Sequence, residues 1–219
     1  MKTDTAHEAW EETWKSEQGR MLWEEAEHQV LRLVPLLKKK SFKSVLDLGS
    51  GIGRHSLVYA ANDFEVTAFD ASETGLNHLQ GLVKERGFSV KTVQGEMTQL
   101  PFEDDAFDFV VSWNVLYHGD ANIVSKALSE VRRVLKPGGL FQSTFLSKRS
   151  KLYGEGTEIS PNTWVLDEAI SDKTHPHYYM NANELLDIFA GFEVVLLELE
   201  SEENENSPSL HWHVVAEKL

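Results

Sequence analysis

Three glycines at alternate positions mark the stretch of this chain best suited to binding a ligand. Val45–Leu48 is an apolar run interrupted only by Asp47, and Gly49, Gly51 and Gly53 follow it directly. Glycine lets the backbone approach a ligand where a side chain would block it. The run is typical of a buried parallel strand, and the residues after Gly53 become helical in pattern. A strand–loop–helix of this kind at the carboxyl edge of an open α/β sheet predicts a nucleotide site.

The spacing of the glycines excludes two common nucleotide motifs. A dinucleotide fingerprint has the form G-x-G-x-x-G, and Arg54 stands where its last glycine would fall. Phosphate binding of the Walker type requires a Gly-Lys-Ser/Thr sequence, which does not follow here. The loop therefore predicts a nucleotide that presents no pyrophosphate or triphosphate to these glycines.

Two carboxylates follow the next predicted strands. Asp70 ends the strand Glu65–Phe69, and Gly95-Glu96-Met97 follows the strand Val90–Val93. Because parallel strands end at the same edge of a sheet, both carboxylates should lie near the glycine loop. A carboxylate at Asp70 is able to accept hydrogen bonds from two neighbouring hydroxyls.

In this order the motifs resemble those of the class I S-adenosylmethionine-dependent methyltransferases, in particular the small-molecule branch often called type 11. The resemblance covers residues 44 to about 146, including the fourth strand Phe107–Trp113 and the turn Leu135–Gly139. It implies that Asp70 holds the ribose hydroxyls and that Glu96 faces the adenine amino group, although the family more often has Asp there. The implied cofactor is S-adenosyl-L-methionine. The implied cofactor-binding residues are Asp47, Gly49, Ser50, Gly51, Gly53, Asp70, Ala71, Gly95, Glu96, Met97, Trp113 and Asn114.

Strands and helices alternate along the part of the chain that must position these residues. Further predicted elements are helices at 54–61, after Ser72 and at 121–135, a breaker and turn at Lys136–Gly139, and a strand at Leu140–Leu146. A helix at Asn181–Ala190 precedes a hairpin of Phe192–Leu199 and Leu210–Ala216, joined by the acidic loop Glu200–Ser209. The resemblance implies a Rossmann-like, doubly wound α/β fold with seven mostly parallel strands in the order 3-2-1-4-5-7-6, the last antiparallel.

The 219 residues are predicted to form one domain with four parts. Residues 1–40 form an N-terminal helical cap, 41–146 the cofactor-binding core, 147–180 a substrate-side insertion, and 181–219 the C-terminal helix and hairpin. The cap is predicted as a helix carrying Trp10 and Trp14 one turn apart, then a second helix from Leu22 to Leu37 that includes Trp23. These tryptophans either pack on the sheet or form an aromatic lid over a ligand. Residues 147–180 have weak periodicity and are predicted to be a long structureless connection.

The residues predicted for the methyl acceptor lie outside the glycine loop. His118 follows the fourth strand and is a candidate general base, because its reference pKa is about 6.5, or it orients the loop. The candidate substrate-binding residues are Trp10, Trp14, Tyr117, His118, Tyr153, His175, His177 and Tyr178. His175-x-His177 has a spacing compatible with a metal, but two ligands without a third nearby lead us to predict no metal site. His211 and His213 alternate on the last strand and are predicted to face solvent.

Composition restricts the class of partner. A net charge of −14 argues against a nucleic-acid backbone as the partner, and the chain has no cysteine. The polar amino terminus and the lack of an apolar run of about 20 residues predict a cytoplasmic protein without membrane contact. The predicted function is methyl transfer to a small-molecule acceptor, with an unknown oligomeric state. The alternative is a non-catalytic regulatory or scaffold protein that binds S-adenosylmethionine or S-adenosylhomocysteine.

Overall fold

A computed structural model describes residues 4–166, 174–201 and 209–219 of the chain. The helices are α1 (Ala6–Lys15), α2 (Glu17–Met21), α3 (His28–Lys39), α4 (Arg54–Ala61), α5 (Glu73–Arg86), α6 (Ala121–Val134) and α7 (Ala182–Ile188). The strands are β1 (Ser44–Leu48), β2 (Glu65–Asp70), β3 (Val90–Gln94), β4 (Phe107–Ser112), β5 (Leu135–Ser147), β6 (Thr157–Ser160), β7 (Thr163–Val165), β8 (His177–Met180), β9 (Phe192–Ser201) and β10 (Leu210–Lys218).

The central sheet has the predicted topology. Strands β3, β2, β1, β4 and β5 pair in that order and run parallel. β10 pairs antiparallel with β5, and β9 pairs antiparallel with β10. Counting the hairpin β9–β10 as the sixth and seventh strands gives the order 3-2-1-4-5-7-6, so the Rossmann-like fold is confirmed. Residues 202–208 of the predicted acidic loop lie outside the described residues.

Helices cover both faces of this sheet, as its apolar strands require. On one face α3 and α4 bury Val34, Leu37 and Tyr59 against β1, β2 and β4. On the other face α6 and α7 bury a larger apolar cluster that includes Val131 and Leu185. Since both faces are covered, the carboxyl ends of β1, β2 and β4 form the edge at which a ligand can bind.

The described residues of the insertion at 147–180 contain more regular secondary structure than the sequence predicted. Its described residues include the antiparallel strands β6, β7 and β8 instead of one structureless connection. β8 pairs with Leu146 and Ser147 of β5. The other edge of Leu146 is taken by β10, so β8 lies on the same edge as β4, just beyond the end of β4. The weak periodicity was misleading because a strand as short as β7 presents too few residues for an alternation to show.

Two further boundaries differ from prediction. The helix predicted from Leu22 to Leu37 corresponds to α3, which begins only at His28, so Leu22 and Trp23 precede it and Leu22 is exposed. β5 begins at Leu135, and the residues predicted as a turn form an irregularity in its pairing between Leu135 and Leu140. Gly138 has a φ of 75°, which is consistent with the predicted break in regular structure.

Candidate functional site

A pocket of about 1100 Å³, counted to its open mouth, lies at the carboxyl ends of β1, β2 and β4. Its wall combines the glycine loop, the ends of the neighbouring strands and the N-terminal helices. Ten of the twelve predicted cofactor-binding residues line it. These ten are Gly49, Ser50, Gly51, Asp70, Ala71, Gly95, Glu96, Met97, Trp113 and Asn114.

The floor of the pocket is the loop between β1 and α4. The amides of Gly49 and Ser50 both donate to the carbonyl of Phe69, at 2.7 and 3.1 Å, which fixes the loop to the end of β2. Gly51 has a φ of 53°, and a β-carbon there would lie 2.9 Å from the ring of Trp14. The loop therefore requires glycine both for its backbone conformation and for the close approach of the tryptophan.

Asp70 lies at the end of β2 and faces the pocket. One carboxylate oxygen accepts from the amide of Gly51 at 2.7 Å, and the other accepts from the amide of Ser72 at 2.8 Å. Burial raises the pKa of Asp70, and these backbone hydrogen bonds oppose that rise. Because each carboxylate oxygen is able to accept more than one hydrogen bond, Asp70 keeps capacity for a ligand's hydroxyl groups.

Asp47 and Gly53, which were also predicted to contact the cofactor, do not line the pocket. Asp47 is buried, and its carboxylate accepts from the Ser56 hydroxyl at 2.6 Å. This interaction places the side chain behind the loop, where burial raises its pKa to about 6. A β-carbon at Gly53 would lie 2.2 Å from Leu79 of α5. Both residues support the loop from the side opposite the pocket, which corrects the prediction of direct contact.

Three tryptophans from the N-terminal segment form the wall opposite the floor. The rings of Trp10 and Trp14 stack with centroids 5.1 Å apart, and the Trp23 ring packs edge-on against both. All three side chains line the pocket. The rings border the cavity, and Trp14 also packs against Gly51 and Gly75 of the sheet domain, so the aromatic lid stays a prediction.

Helix α1 is attached to the sheet domain through Glu11. Its carboxylate accepts from the hydroxyls of Ser72 and Thr74 and from the Thr74 amide at 3.2 Å. Ser72 is the N-cap of α5, so the negative charge lies at the positive end of that helix. The hydrogen bonds from Ser72 and Thr74 hold the pKa of Glu11 below its usual value.

A second attachment lies at the start of α4. The Arg54 guanidinium contacts the Glu27 carboxylate at 2.9 Å and lies over the Trp23 ring, 5.0 Å from its centroid. The neighbouring His55 ring accepts from the Glu27 amide at 3.3 Å through Nε2. Burial lowers the pKa of His55 well below its usual value, which keeps this nitrogen unprotonated and able to accept. The arginine that excluded a dinucleotide motif thus fastens the N-terminal segment to the domain.

The predicted acceptor residues divide into two groups. Trp10, Trp14 and His118 line the pocket, whereas the other five predicted residues do not. Tyr178 belongs to the large apolar core beneath α6 and α7. Tyr117 and Tyr153 pack in a small cluster around Tyr179. These tyrosines bury apolar rings inside the domain, so the prediction that they contact the acceptor in the pocket is not supported.

His175 and His177 lie directly behind His118. Their ring centroids are 4.9 and 5.0 Å from the His118 ring, and all three side chains are buried. The insertion and the end of β4 therefore bring a third imidazole to the His175-x-His177 pair. No metal site was predicted from the sequence because no third ligand lay near the His175-x-His177 pair. The structure shows that His118 does lie near the pair, so this reason was wrong.

His211 and His213 were predicted to face solvent, but both are buried. The prediction failed because β10 is an interior strand between β5 and β9, with both of its faces covered. The His213 ring packs against Trp113, with centroids 5.1 Å apart, and its Nε2 contacts the Gln142 amide nitrogen at 3.0 Å.

Several pocket residues were not singled out by the sequence motifs. The additional lining includes His7, Ile52, His55, Thr98, Val115 and Ile123. His7 lies one turn before the tryptophans on α1, and its ring is 4.0 Å from the Glu96 carboxylate. The helical spacing of His7 and Trp10 was available in the sequence and could have grouped His7 with the aromatic wall.

Comparisons with known proteins agree with this architecture. Residues 45–139 match the family described as "Methyltransferase domain". A demethylmenaquinone methyltransferase of Clavibacter sepedonicus is 41% identical over 101 residues, which are 43% of this chain and 38% of that protein. The chain thus matches less than half the length of such relatives.

Solved structures extend the likeness to the whole fold. A SAM-dependent methyltransferase of Methanosarcina mazei superposes with a TM-score of 0.71 at 22% identity, over 80% of this chain and 92% of that one. The Burkholderia thailandensis 1,6-didemethyltoxoflavin-N1-methyltransferase, solved with 1,6-didemethyltoxoflavin and S-adenosylhomocysteine, has a TM-score of 0.72 at 18% identity. That superposition covers 98% of this chain and 88% of the other.

The fold is the one found in S-adenosylmethionine-dependent methyltransferases such as the Methanosarcina mazei protein, and the matched residues resemble the methyltransferase-domain family. Residues 45–139 carry the match to this family, and the topology of the whole sheet agrees with it. The pocket fits the cofactor that the family implies. The backbone of Gly49 and Gly51 lines the floor, and Asp70 presents an acceptor suited to hydroxyl groups.

Proposed function

We propose that this chain transfers a methyl group from S-adenosyl-L-methionine to a small-molecule acceptor. The observation that carries the proposal is a single pocket in which the glycine loop, Asp70 and Glu96 face a wall of three tryptophans and His118. The first set suits the cofactor, and the second set offers apolar area and one titratable group for an acceptor.

Within this proposal each part of the pocket has a distinct task. The loop around Gly51 supports the methionine portion, Asp70 accepts hydrogen bonds from the ribose, and Glu96 lies beside the adenine amino group. The bound cofactor supplies a methyl carbon that its sulfonium already activates. The chain's contribution is therefore to align the acceptor and to exclude water, which the tryptophan wall favours. His118 removes a proton where the acceptor arrives protonated.

The proposal extends to partners and location. The relatives above are named for demethylmenaquinone and didemethyltoxoflavin, which supports a small organic acceptor. A charge of −14 supports the absence of nucleic-acid binding, and the absence of cysteine supports a cytoplasmic location. Among the described residues, no helix has the length and apolar character needed to cross a membrane.

Calorimetric titration tests the cofactor. We expect S-adenosylmethionine and S-adenosylhomocysteine to bind and NAD not to bind. Asp70→Ala should weaken binding by roughly 1–3 kcal/mol, the contribution of charge-assisted hydrogen bonds. Glu85→Ala, which removes an exposed carboxylate on α5, is the matched control and should bind normally. Preference for NAD, or equal affinity in the Asp70 variant, would contradict the assignment.

Turnover is tested separately. The protein is incubated with methyl-labelled S-adenosylmethionine and pools of small metabolites, and labelled products are separated and identified. We expect a labelled small molecule that depends on the protein. A well-folded protein that binds the cofactor and labels nothing across such pools would instead support the non-catalytic alternative.

A further inference from the structure

Three buried histidines from two separate segments meet beside the pocket. His118 follows β4, and His175 and His177 precede and begin β8. One ring nitrogen from each lies within 4.8 Å of the others. The rings of His175 and His177 have centroids 4.4 Å apart, and the exposed fraction of each of the three residues is below one tenth. Neutral imidazole is the form in which histidine binds a metal ion.

The backbone holds these three side chains in place. His118 and His177 form an antiparallel bridge, and the amide of Tyr178 donates to the carbonyl of Tyr117 at 2.9 Å. The amide of Gly119 donates to the carbonyl of Pro176 at 3.1 Å. Because hydrogen bonds connect both sides of the cluster, the three imidazoles are positioned before any ligand arrives, which lowers the cost of binding one.

A second observation indicates which ring nitrogen of His177 is able to bind a metal ion. Its Nδ1 lies 2.7 Å from the backbone carbonyl of His175, so Nδ1 carries the proton and donates it. Nε2 is then the nitrogen with the lone pair. Metal-binding histidines commonly donate their other ring N–H to a backbone carbonyl in this way, which sets both the tautomer and the ring orientation.

We propose that His118, His175 and His177 form a binding site for a divalent transition metal ion, with Zn²⁺ as the best match. Among the residues that the structure describes, the group consists of these three imidazoles, and a set of three histidine ligands is typical of zinc sites that keep an open position. A tetrahedral ion with bonds of about 2.0–2.1 Å would draw its nitrogen ligands to roughly 3.4 Å apart. The three nitrogens now lie within 4.8 Å of one another, so binding requires the side chains to move closer together.

The position of the cluster indicates what the ion does. His118 lines the pocket and lies 5.9 Å from Trp10 between ring centroids, so the ion lies on the acceptor side of the wall. An acceptor hydroxyl or carboxylate bound at the open position would be oriented, and a hydroxyl would lose its proton to solvent more readily. With the ion bound, this effect would take the place of proton removal by the His118 imidazole, whose lone pair would be used by the ion. This role rests on the proposed methyl transfer, whereas the binding of the ion does not.

The test measures metal binding on the full chain without cofactor. Protein dialysed against a chelator is titrated with Zn²⁺ in competition with a chromophoric chelator, and with Co²⁺ by visible absorption. We expect one equivalent of Zn²⁺ and the intense visible bands of four-coordinate Co²⁺. Losing an outer partner of a metal ligand costs about 10–100-fold in affinity, so His118→Ala, His175→Ala and His177→Ala should each lose more than that.

Two controls make the outcome specific. His28→Ala removes an exposed histidine and should bind Zn²⁺ normally. The double variant Glu198→Gln/Glu200→Gln dismantles a second group of possible ligands around His213 and should also bind normally. Absence of Zn²⁺ binding by the parent chain, retention by all three histidine variants, or loss in the glutamate variant would overturn the proposal.

The experiment also separates this site from the proposed function. Circular dichroism checks the folding of each variant, and the Co²⁺ spectrum of the parent chain tests the site where a variant does not fold. Binding of S-adenosylhomocysteine is measured in parallel. Its failure with metal binding intact would reject the proposed function alone, and the reverse result would reject the metal site alone.

Discussion

Individual residues in the pocket wall are constrained by what they touch, and Gly51 is the clearest case. Its φ of 53° lies in the left-handed region, and the ring of Trp14 occupies the space next to its α-carbon. Any other residue there would strain the backbone and displace the tryptophan. The loop and the aromatic wall are therefore in contact where the Trp14 ring packs against Gly51.

Gly51→Ala should destabilise the fold and weaken cofactor binding together. The left-handed backbone costs roughly 1–2 kcal/mol for a residue with a β-carbon, and the Trp14 ring must also move. Gly81→Ala is the matched control, because no atom lies within 4 Å of a β-carbon there and the residue is inside α5. The control should gain roughly 0.5–1 kcal/mol in stability. Chemical denaturation and calorimetry of both variants measure this contrast, and equal effects would contradict it.

At this scale the sequence predicted most of the residues that meet around the glycine loop in the pocket. The glycines, Asp70 and Glu96 were identified because the backbone loop and strand ends that carry them have a fixed order in the chain. Asp47 has the same position at a strand end, yet it faces Ser56, because strand residues alternate between directions and the sequence does not say what each one meets. Pairing of His118 with His175 could not be predicted, since it depends on where β8 joins the sheet.

At the scale of elements, α1 packs on α5 through Trp14 and is hydrogen-bonded to the start of α5 through the carboxylate of Glu11. Glu11 receives hydrogen bonds from two hydroxyls and one amide at the start of α5, and Glu12 beside it is exposed and pairs with Lys15. The two glutamates therefore differ in attachment although they are adjacent in sequence. This difference provides a matched pair for testing how the tryptophan wall is positioned.

Glu11→Gln should loosen α1 and weaken the binding of S-adenosylhomocysteine. Loss of hydrogen bonds to a charged group costs about 1.5–3 kcal/mol where the group is buried, and less here because Glu11 is only partly buried. Glu12→Gln should bind normally. Limited proteolysis of the N-terminal segment, read by mass spectrometry, should show faster cleavage in the Glu11 variant alone. Equal cleavage of the two variants would show that α1 is held by other contacts.

The elements with strong periodicity were predicted close to their observed ends. The helix at 121–135 appears as α6, and Asn181 with Glu184 forms the capping box that opens α7. The N-terminal segment was predicted less accurately: α3 begins at His28, and Trp23, which contacts the Arg54 guanidinium, precedes this helix. The short strands β6 to β8 were not predicted because they contain too few residues to show an alternation of apolar and polar side chains.

At the scale of the whole molecule, buried histidines connect stability to pH. Burial lowers the pKa of His213 to about 4, and it lowers that of His55 well below its usual value. In the unfolded chain both have a pKa of about 6.5. Below that pH the unfolded state binds protons that the folded state does not, so stability decreases as the pH falls.

His213→Gln should flatten this dependence between about pH 6.5 and the native pKa of about 4. At about 1.4 kcal/mol for each pH unit, His213 accounts for roughly 3 kcal/mol of lost stability across this range. His28→Gln, an exposed control, should keep the parent slope. The free energy of unfolding, measured by denaturant titration at several pH values, checks both variants. An unchanged slope in the His213 variant would show that its folded-state pKa is ordinary.

The N-terminal wall of the pocket and the strand β8, which lies next to His118, differ in how they are attached to the sheet. β8 shares backbone hydrogen bonds with β5, whereas the N-terminal helices are attached through side chains such as Glu11 and Arg54. Side-chain contacts break without unpairing a strand, so the N-terminal wall is the one we expect to part when ligands exchange. Departure of the product would then set the rate of turnover. A weaker attachment of the N-terminal helices would lower the affinity for ligands and raise the rate of turnover. The same few residues would therefore change affinity and turnover rate in opposite directions.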